Sequence, residues 1–162
     1  MNYYAVFDSP IGELLAVGDG ASLSRLHMLG GRKRLDVNPA WQRDDAAFSA
    51  VRGQLDEYFA SERHEFELPL EMLGNQFERR VWDQLREIPY GETASYGEIA
   101  RLVGNPDAAR AVGLANGRNP IAVIVPCHRV IGADGSLTGY GGGLERKRLL
   151  LDLEAGVLPL VV

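Results

Sequence analysis

The spacing of apolar residues changes once along this chain, near residue 75, and no other sequence feature constrains the fold as much. Before that point, residues 3–17 and 23–29 alternate apolar and polar side chains around glycine-containing turns, which is typical of β-strands. After it, apolar residues such as Phe77 and Val81 recur at helical intervals. The sequence therefore predicts an α+β protein with two parts, residues 1–75 and residues 76–162.

The N-terminal part is predicted to be an antiparallel sheet covered on one face by a helix. Phe48, Val51 and Leu55 lie at helical spacing, which predicts an amphipathic helix over residues 43–60. The stretch from residue 66 to residue 75 contains proline and glycine and predicts a final strand followed by a linker. We therefore place the domain boundary after residue 75.

The C-terminal part is predicted to contain a helix-turn-helix. Ser95-Tyr96-Gly97-Glu98 has the spacing of a capping box, so a helix should begin at Ser95 and end at Gly104. Asn105-Pro106 suits the cap and first turn of a second helix that ends near Ala115. This second helix consists mostly of small residues, with Arg110 as its main long polar side chain. It therefore suits a close, sequence-tolerant contact with the minor groove of DNA. Two further helices are predicted, over residues 77–88 and 144–154.

Cys127 is the only cysteine of the chain and follows the apolar run Ile121-Ala122-Val123-Ile124-Val125. A sole cysteine cannot form an internal disulfide, so the thiol is either a small buried hydrophobe or a reactive group. An ordinary thiol has a pKa near about 8.5 and needs a base or a positive field to become a nucleophile at neutral pH. The adjacent His128 is a candidate for that base.

Composition and charge indicate a globular protein with its acidity concentrated in the N-terminal part. The 46% hydrophobic and 24% charged residues are ordinary for a soluble domain. The sequence contains no apolar stretch of membrane-spanning length and no secretory leader, so we expect a cytoplasmic protein without a membrane partner. Residues 1–75 hold 7 basic and 12 acidic residues, whereas residues 76–162 hold 10 of each. Residues 94–129 carry a local positive charge that could face a phosphate backbone, from Arg101, Arg110, Arg118 and Arg129 against Glu98 and Asp107.

Four segments of the C-terminal part together resemble a known family. They are Ala109-Arg110-Ala111-Val112-Gly113, Asn116-Gly117-Arg118-Asn119-Pro120, Pro126-Cys127-His128-Arg129-Val130 and Gly139-Tyr140-Gly141-Gly142-Gly143-Leu144. In this order and spacing they resemble the O(6)-alkylguanine-DNA alkyltransferases over roughly residues 76 to 156. The resemblance implies a ribonuclease H-like N-terminal domain and a winged helix-turn-helix-like C-terminal domain that carries the active-site cysteine.

The resemblance also implies an activity, which is direct repair of alkylated DNA. In this family the alkyl group of O(6)-alkylguanine, and by extension of O(4)-alkylthymine, passes irreversibly to the cysteine. By this match Cys127 is the nucleophile and His128 takes its proton through an ordered water. Glu154 orients the histidine, and Asn119 is the hinge asparagine of the active-site turn.

The implied partner is double-stranded DNA, bound through its minor groove with the damaged guanine turned out of the duplex. By the family match Arg110 fills the gap in the base stack and Tyr96 pushes against the phosphate of the target nucleotide. The residues expected along the DNA are Ala109, Gly113 and Arg118. The residues expected around the base and its alkyl group are Tyr140, Val130 and Gly141.

The chain should act once per molecule and without a cofactor, since no second thiol is present to resolve a thioether. Some relatives hold zinc in the N-terminal domain. Here only His27 and His64 remain besides the proposed site, so we expect no metal. We expect a monomer in solution, and clustering on DNA is left open.

Three other functions were weighed against repair. A helix-turn-helix regulator without catalysis is the main alternative, but it would need several base-reading side chains. A cysteine hydrolase fits less well, because its catalytic pair normally comes from separate parts of the chain. An alkyltransferase-like binder without a nucleophile is disfavoured by Cys127 itself.

Overall fold

A computed structural model of the chain describes residues 1–30 and 36–157. The predicted parts 1–75 and 76–162 extend over residues 31–35 and 158–162, which lie outside this description. The strands are β1 Tyr3–Phe7, β2 Leu14–Gly18, β3 Leu23–Met28, β4 Gln42–Arg43, β5 Ala94–Ser95 and β6 Val130–Ile131. The helices are α1 Ser49–Phe59, α2 Gln76–Arg86, α3 Tyr96–Leu102, α4 Ala109–Gly117 and α5 Leu144–Glu154, with short 3-10 turns at Ala46–Phe48 and Cys127–Arg129.

The N-terminal sheet has the strand order β3-β2-β1-β4. Its first three strands form the predicted antiparallel meander, in which β2 pairs with both neighbours and is buried along its whole length. The expectation of a purely antiparallel sheet was wrong at one edge, because β4 pairs in parallel with β1 at Tyr3 and Tyr4. The amphipathic helix was also predicted to begin too early, since residues 42–43 belong to the sheet and α1 begins only at Ser49.

The final strand predicted within residues 66–75 does not form. One bridge joins Leu70 to Leu23, flanked by hydrogen bonds from Leu23 N to Pro69 O at 2.9 Å and from Glu71 N to Leu23 O at 2.9 Å. Pro69 has no N–H to extend this pairing. The segment therefore touches the free edge of β3 at one point only.

The two helices of the predicted helix-turn-helix are present, and the cap of the first is confirmed. Ser95 accepts a hydrogen bond from Glu98 N at 3.1 Å, and the Glu98 side chain accepts from Ser95 N at 3.1 Å. The cap of the second helix was predicted wrongly. Asn105 and Ala108 instead close a turn, with Ala108 N donating to Asn105 O at 3.0 Å, and α4 begins at Ala109 without a side-chain cap.

The helical part packs onto the sheet through a single apolar core. Trp82 of α2 donates from its indole to Ala115 O of α4 at 2.9 Å, which fixes the helix pair against α2. The strand edge at Leu26 receives the chain that follows α4: Leu26 N donates to Pro120 O at 2.9 Å and Ala122 N donates to Leu26 O at 3.0 Å. This contact anchors the segment leading to Cys127 directly on β3. In the described ranges, none of the helices has the length and apolar character needed to span a membrane.

Candidate active site

Cys127 stands at the start of a 3-10 turn that follows a tightly coiled apolar segment. Val125 N donates to Ile121 O at 3.1 Å, and Cys127 N donates to Val125 O at 2.8 Å. Val123 has a φ of 69°, in the left-handed region that β-branched residues rarely occupy, and its side chain is buried. Such a conformation costs about 1–3 kcal/mol and persists only where the surroundings enforce it.

Two asparagines at the end of α4 hold this coil in place. The Asn119 amide donates to Val125 O at 2.8 Å and accepts from Ile121 N at 3.0 Å, which closes the turn on both sides. The buried Asn116 donates to Cys127 O at 3.3 Å. The cysteine backbone is therefore tied to the second helix of the helix-turn-helix.

Behind the cysteine lies a buried cluster of charged and polar side chains centred on Glu154. His128 Nε2 lies 2.7 Å from Glu154 Oε2, and the histidine is fully buried. Arg129 binds the same carboxylate in bidentate fashion, with Nε 2.7 Å from Oε1 and Nη2 3.0 Å from Oε2. The Tyr58 hydroxyl donates to Oε2 at 2.6 Å. The side chain of Glu154 is only 1% exposed, so the ordinary interpretation of a solvated surface glutamate does not apply.

Glu154 is ionised despite its burial. Burial alone raises the pKa of a carboxyl group, but the hydrogen bonds and positive charge of His128 and Arg129 outweigh it and bring the pKa of Glu154 from 4.5 to about 2. An ionised carboxylate can only accept hydrogen bonds, so the Nε2 of His128 carries the proton that points at it.

The remaining nitrogen of His128 is therefore its basic atom. Nδ1 is buried and finds no hydrogen-bond partner in the part of the chain that the structure describes. Burial lowers the pKa of His128, although the nearby carboxylate of Glu154 acts in the opposite direction. At neutral pH the imidazole is then uncharged and able to take up a proton at Nδ1.

The Cys127 thiol is 5% exposed and is protonated in its resting state. Burial raises its pKa, while hydrogen bonding from Asn119, the positive charge of Lys147 and hydrogen bonding from Tyr140 act in the opposite direction. The thiolate is consequently formed by transfer of the proton to a base and is not present beforehand.

The sulfur borders a cavity of about 50 Å³. Tyr140 and Gly141, both predicted at the pocket, line this cavity together with Asn119. Burial raises the pKa of Tyr140 well above its usual value, and the neighbouring Cys127 adds to the rise. Its hydroxyl makes no hydrogen bond to another described residue, so it is available to a bound group beside the sulfur. Val130 was expected at the base edge, but it does not border the cavity within residues 1–30 and 36–157.

Lys147 is a buried cation that the sequence reasoning missed. Its ammonium group donates to Val130 O at 2.6 Å and to Thr138 O at 3.3 Å, and burial lowers its pKa. Lys147 and Glu154 share the buried stripe of α5 with Leu150. Charged residues on the apolar stripe of a predicted helix were therefore the signal that could have identified both groups.

Arg129 is a second functional residue that the sequence analysis assigned wrongly. We expected it among the arginines that could face a phosphate backbone, but it is 6% exposed and binds Glu154 and the carbonyl of Ile88. Its guanidinium compensates the buried carboxylate, which explains why it turns inward. The local positive charge of the surface is smaller than the sequence suggested.

The exposed face of the helix pair carries Arg110 and Leu114, one turn apart on α4. Leu114 is 60% exposed, which is unusual for a leucine and gives this face an apolar centre. Arg118 is exposed at the end of the same helix, with Nη1 3.8 Å from a Glu78 carboxylate oxygen.

The other residues predicted along the DNA lie at the edge of this face. Ala109 begins α4 and is half-buried. Gly113 packs over the ring of Tyr96, which would lie 3.8 Å from a Cβ at that position. The Tyr96 hydroxyl is hydrogen-bonded to Thr138. In the described part of the chain, no cluster of three or more histidine, cysteine, aspartate or glutamate side chains could hold a metal ion.

This arrangement defines a class of protein: one that places a cysteine nucleophile, its imidazole base and an orienting carboxylate beneath a helix-turn-helix. Comparison with known proteins makes the class specific. Residues 76–156 match the family described as 6-O-methylguanine DNA methyltransferase, DNA binding domain, and residues 2–72 match its ribonuclease-like domain. The chain belongs to the 6-O-methylguanine DNA methyltransferase family.

Individual relatives agree with this assignment along almost the whole chain. A methylated-DNA--protein-cysteine methyltransferase of Methanosarcina acetivorans is 53% identical, covering 94% of this chain and 97% of its own length. The protein of the same name from Mycobacterium bovis is 55% identical, covering 98% and 96%. The crystal structure of Mycobacterium tuberculosis OGT in complex with DNA superimposes with a TM-score of 0.90 at 56% identity, covering 97% of this chain and 95% of that one. The expected α+β fold and the family resemblance are thereby confirmed.

Proposed function

We propose that this protein repairs alkylated duplex DNA by transferring the alkyl group from O(6) of guanine to Sγ of Cys127. The observation that carries the proposal is the pairing of a cavity-lining thiol with a buried imidazole whose Nδ1 has no partner among the described residues. The names of the relatives and the DNA complex of the mycobacterial protein support the same activity.

The transfer needs one proton acceptor and one nucleophile. The thiol proton passes to Nδ1 of His128, through a bridging water, and the resulting imidazolium is stabilised by Glu154 at 2.7 Å. The sulfur attacks the alkyl carbon, so an S–C bond forms while the bond between that carbon and O(6) breaks. The electron pair of the broken bond remains on the guanine, which regains a proton as it leaves. The Tyr140 hydroxyl, without another partner beside the sulfur, can donate a hydrogen bond to the departing base.

The damaged guanine must leave the base stack before this attack is possible, because the sulfur is buried and O(6) is enclosed within the duplex. The exposed face of α4 suits a shallow minor-groove contact, with Arg110 entering the stack in place of the extruded base. Leu114, one turn further along, adds an apolar contact to the same groove. We place Tyr96 against the phosphate of the target nucleotide, where Thr138 holds its hydroxyl.

The reaction ends with a thioether that the chain cannot reverse. Cys127 is the only cysteine, so no second thiol can attack the modified sulfur. Each molecule therefore repairs one lesion, and we propose that it does so as a monomer and without a cofactor.

Intact mass analysis tests the proposal directly. After mixing with a duplex that contains O(6)-methylguanine, the wild-type protein should gain the mass of one methylene, and repaired guanine should accumulate to one equivalent. The variant Cys127→Ser and an unmodified duplex are the controls, and neither should give a mass gain. An unchanged wild-type mass would refute the transfer, even if the protein still bound the duplex.

A further inference from the structure

Tyr58 connects the N-terminal part of the chain to the chemical centre of the C-terminal part. It lies on α1, its ring is fully buried, and its hydroxyl donates to Glu154 Oε2 at 2.6 Å. The same oxygen accepts the Nε2 proton of His128 at 2.7 Å. A neutral phenol and the catalytic imidazole thus share one carboxylate oxygen.

This sharing affects how strongly Glu154 attracts a proton from His128. A hydrogen bond donated to a carboxylate stabilises its charged form and makes the oxygen a weaker base. Arg129 contributes two further hydrogen bonds, but it divides them between Oε1 and Oε2. Tyr58 donates to the histidine-bound oxygen alone, so it acts specifically on the oxygen that faces His128.

We propose that Tyr58 is a positioning residue for alkyl transfer: its hydroxyl fixes the Glu154 carboxylate and weakens its pull on the imidazole, so that His128 stays neutral and ready to accept the thiol proton. The inference rests on the proposed function for its kinetic part. It assigns to the N-terminal part a direct effect on the chemistry, whereas the sequence gave that part no catalytic motif.

The surrounding charges remain unchanged when only this hydroxyl is removed. The titratable groups that act on the His128 and Glu154 pair from the other packed elements are Arg129, Lys147, Cys127 and Tyr90. Tyr58→Phe removes none of them and keeps the buried ring. Without the phenol, the carboxylate stabilises the imidazolium more strongly, so the pKa of His128 should rise.

The test compares Tyr58→Phe with the wild-type protein and with Tyr90→Phe. Tyr90 packs edge-on against Tyr58 with ring centroids 6.2 Å apart, so the control removes a neighbouring phenol that makes no hydrogen bond to Glu154 among the described residues. Two quantities are measured against pH: the rate of methyl transfer from an O(6)-methylguanine duplex, and the ring-nitrogen chemical shifts of His128 by NMR without DNA.

For Tyr58→Phe we expect the His128 titration and the acid limb of the transfer rate to move together to higher pH. The transfer rate near neutral pH should fall by about tenfold, the lower end of what loss of an orienting hydrogen bond causes. Tyr90→Phe should leave both titrations in place. Incorporation of 3-fluorotyrosine at position 58, whose more acidic hydroxyl donates more strongly, should move both in the opposite direction and covers the case in which Tyr58→Phe folds poorly.

An unmoved His128 titration in the folded variants overturns the proposal, because a purely structural role for Tyr58 would lower the rate without shifting the limb. The NMR measurement judges the proposal without DNA. A wild-type chain that gains no methyl group would defeat the proposed function, and the role of Tyr58 would still be decided by the His128 titration.

Discussion

The buried carboxylate of Glu154 should make the stability of this protein unusually sensitive to acid. Its pKa in the folded protein is about 2, well below 4.5, because His128 and Arg129 stabilise the charge. A lowered pKa means that the carboxylate contributes stability above pH 4.5 and loses that contribution as the pH falls towards 2. The perturbation to apply is therefore a decrease in pH, compared between the wild-type protein and Glu154→Gln.

The size of the effect follows from the pKa difference. A shift from 4.5 to about 2 corresponds to about 3 kcal/mol of unfolding free energy at about 1.4 kcal/mol per pKa unit. By the same relation, about 2 kcal/mol should already be lost between about pH 5 and pH 3. The side chain is almost completely buried, so solvent screens little of this contribution. This is a large share of the about 5–15 kcal/mol by which a domain is usually stable.

Urea unfolding at several pH values measures this contribution. The difference in unfolding free energy between the wild-type protein and Glu154→Gln should shrink by about 2 kcal/mol from about pH 5 to pH 3, because the variant lacks the titrating group. Glu145→Gln, which removes an exposed carboxylate from the same helix, is the matched control and should show no such change. A difference between Glu154→Gln and the wild-type protein that stays constant with pH would refute the account of Glu154 as a charged, buried centre.

Four further outcomes are expected. Gly142→Ala should slow methyl transfer, because its Cβ would meet Met28 Sδ at 2.3 Å and the ring of Tyr140, whereas Gly139→Ala, with open space at its Cβ, should have a smaller effect. Replacing the buried guanidinium in Arg129→Met should lower the unfolding free energy by about 3–5 kcal/mol, measured by urea unfolding, since it leaves a carboxylate uncompensated. The methylated protein should melt at a lower temperature than the unmodified protein, because overpacking a closed site costs about 1–3 kcal/mol. Arg110→Ala should slow transfer from duplex DNA, while transfer from the free alkylated base should be unchanged.

Local sequence signals predicted some elements to the residue. The helix over residues 144–154 has the predicted bounds, and the cap at Ser95 forms as its spacing indicated. Both depend on interactions within one or two turns of the same helix, so the nearby sequence contains the necessary information. The cap predicted at Asn105 failed because a closed turn competes for the same backbone groups, and sequence alone does not rank the two.

The chemistry of the site was predictable only in part, and for a different reason. Cys127 and His128 are adjacent in sequence, so their association needed no knowledge of the fold. Arg129 looked like a surface cation because its partner, Glu154, is 25 residues away. Tyr58 was identified only as an apolar member of a helix, since the 96 residues between it and Glu154 conceal their contact. Long-range pairing decides which polar groups are buried, and hydrophobic periodicity carries no record of it.

The buried carboxylate also explains why the two parts of this chain form one functional unit. An ion is expensive to bury, and Glu154 is stable only with donors from α1, from the turn at Cys127–Arg129 and from its own side of the core. The same hydrogen bonds that offset its desolvation determine the proton on His128. Folding of the N-terminal part onto α5 therefore completes the base at the same time as it completes the core. A helix-turn-helix part without α1 would retain the sulfur and the imidazole, but it would lack the phenol that holds their carboxylate in place.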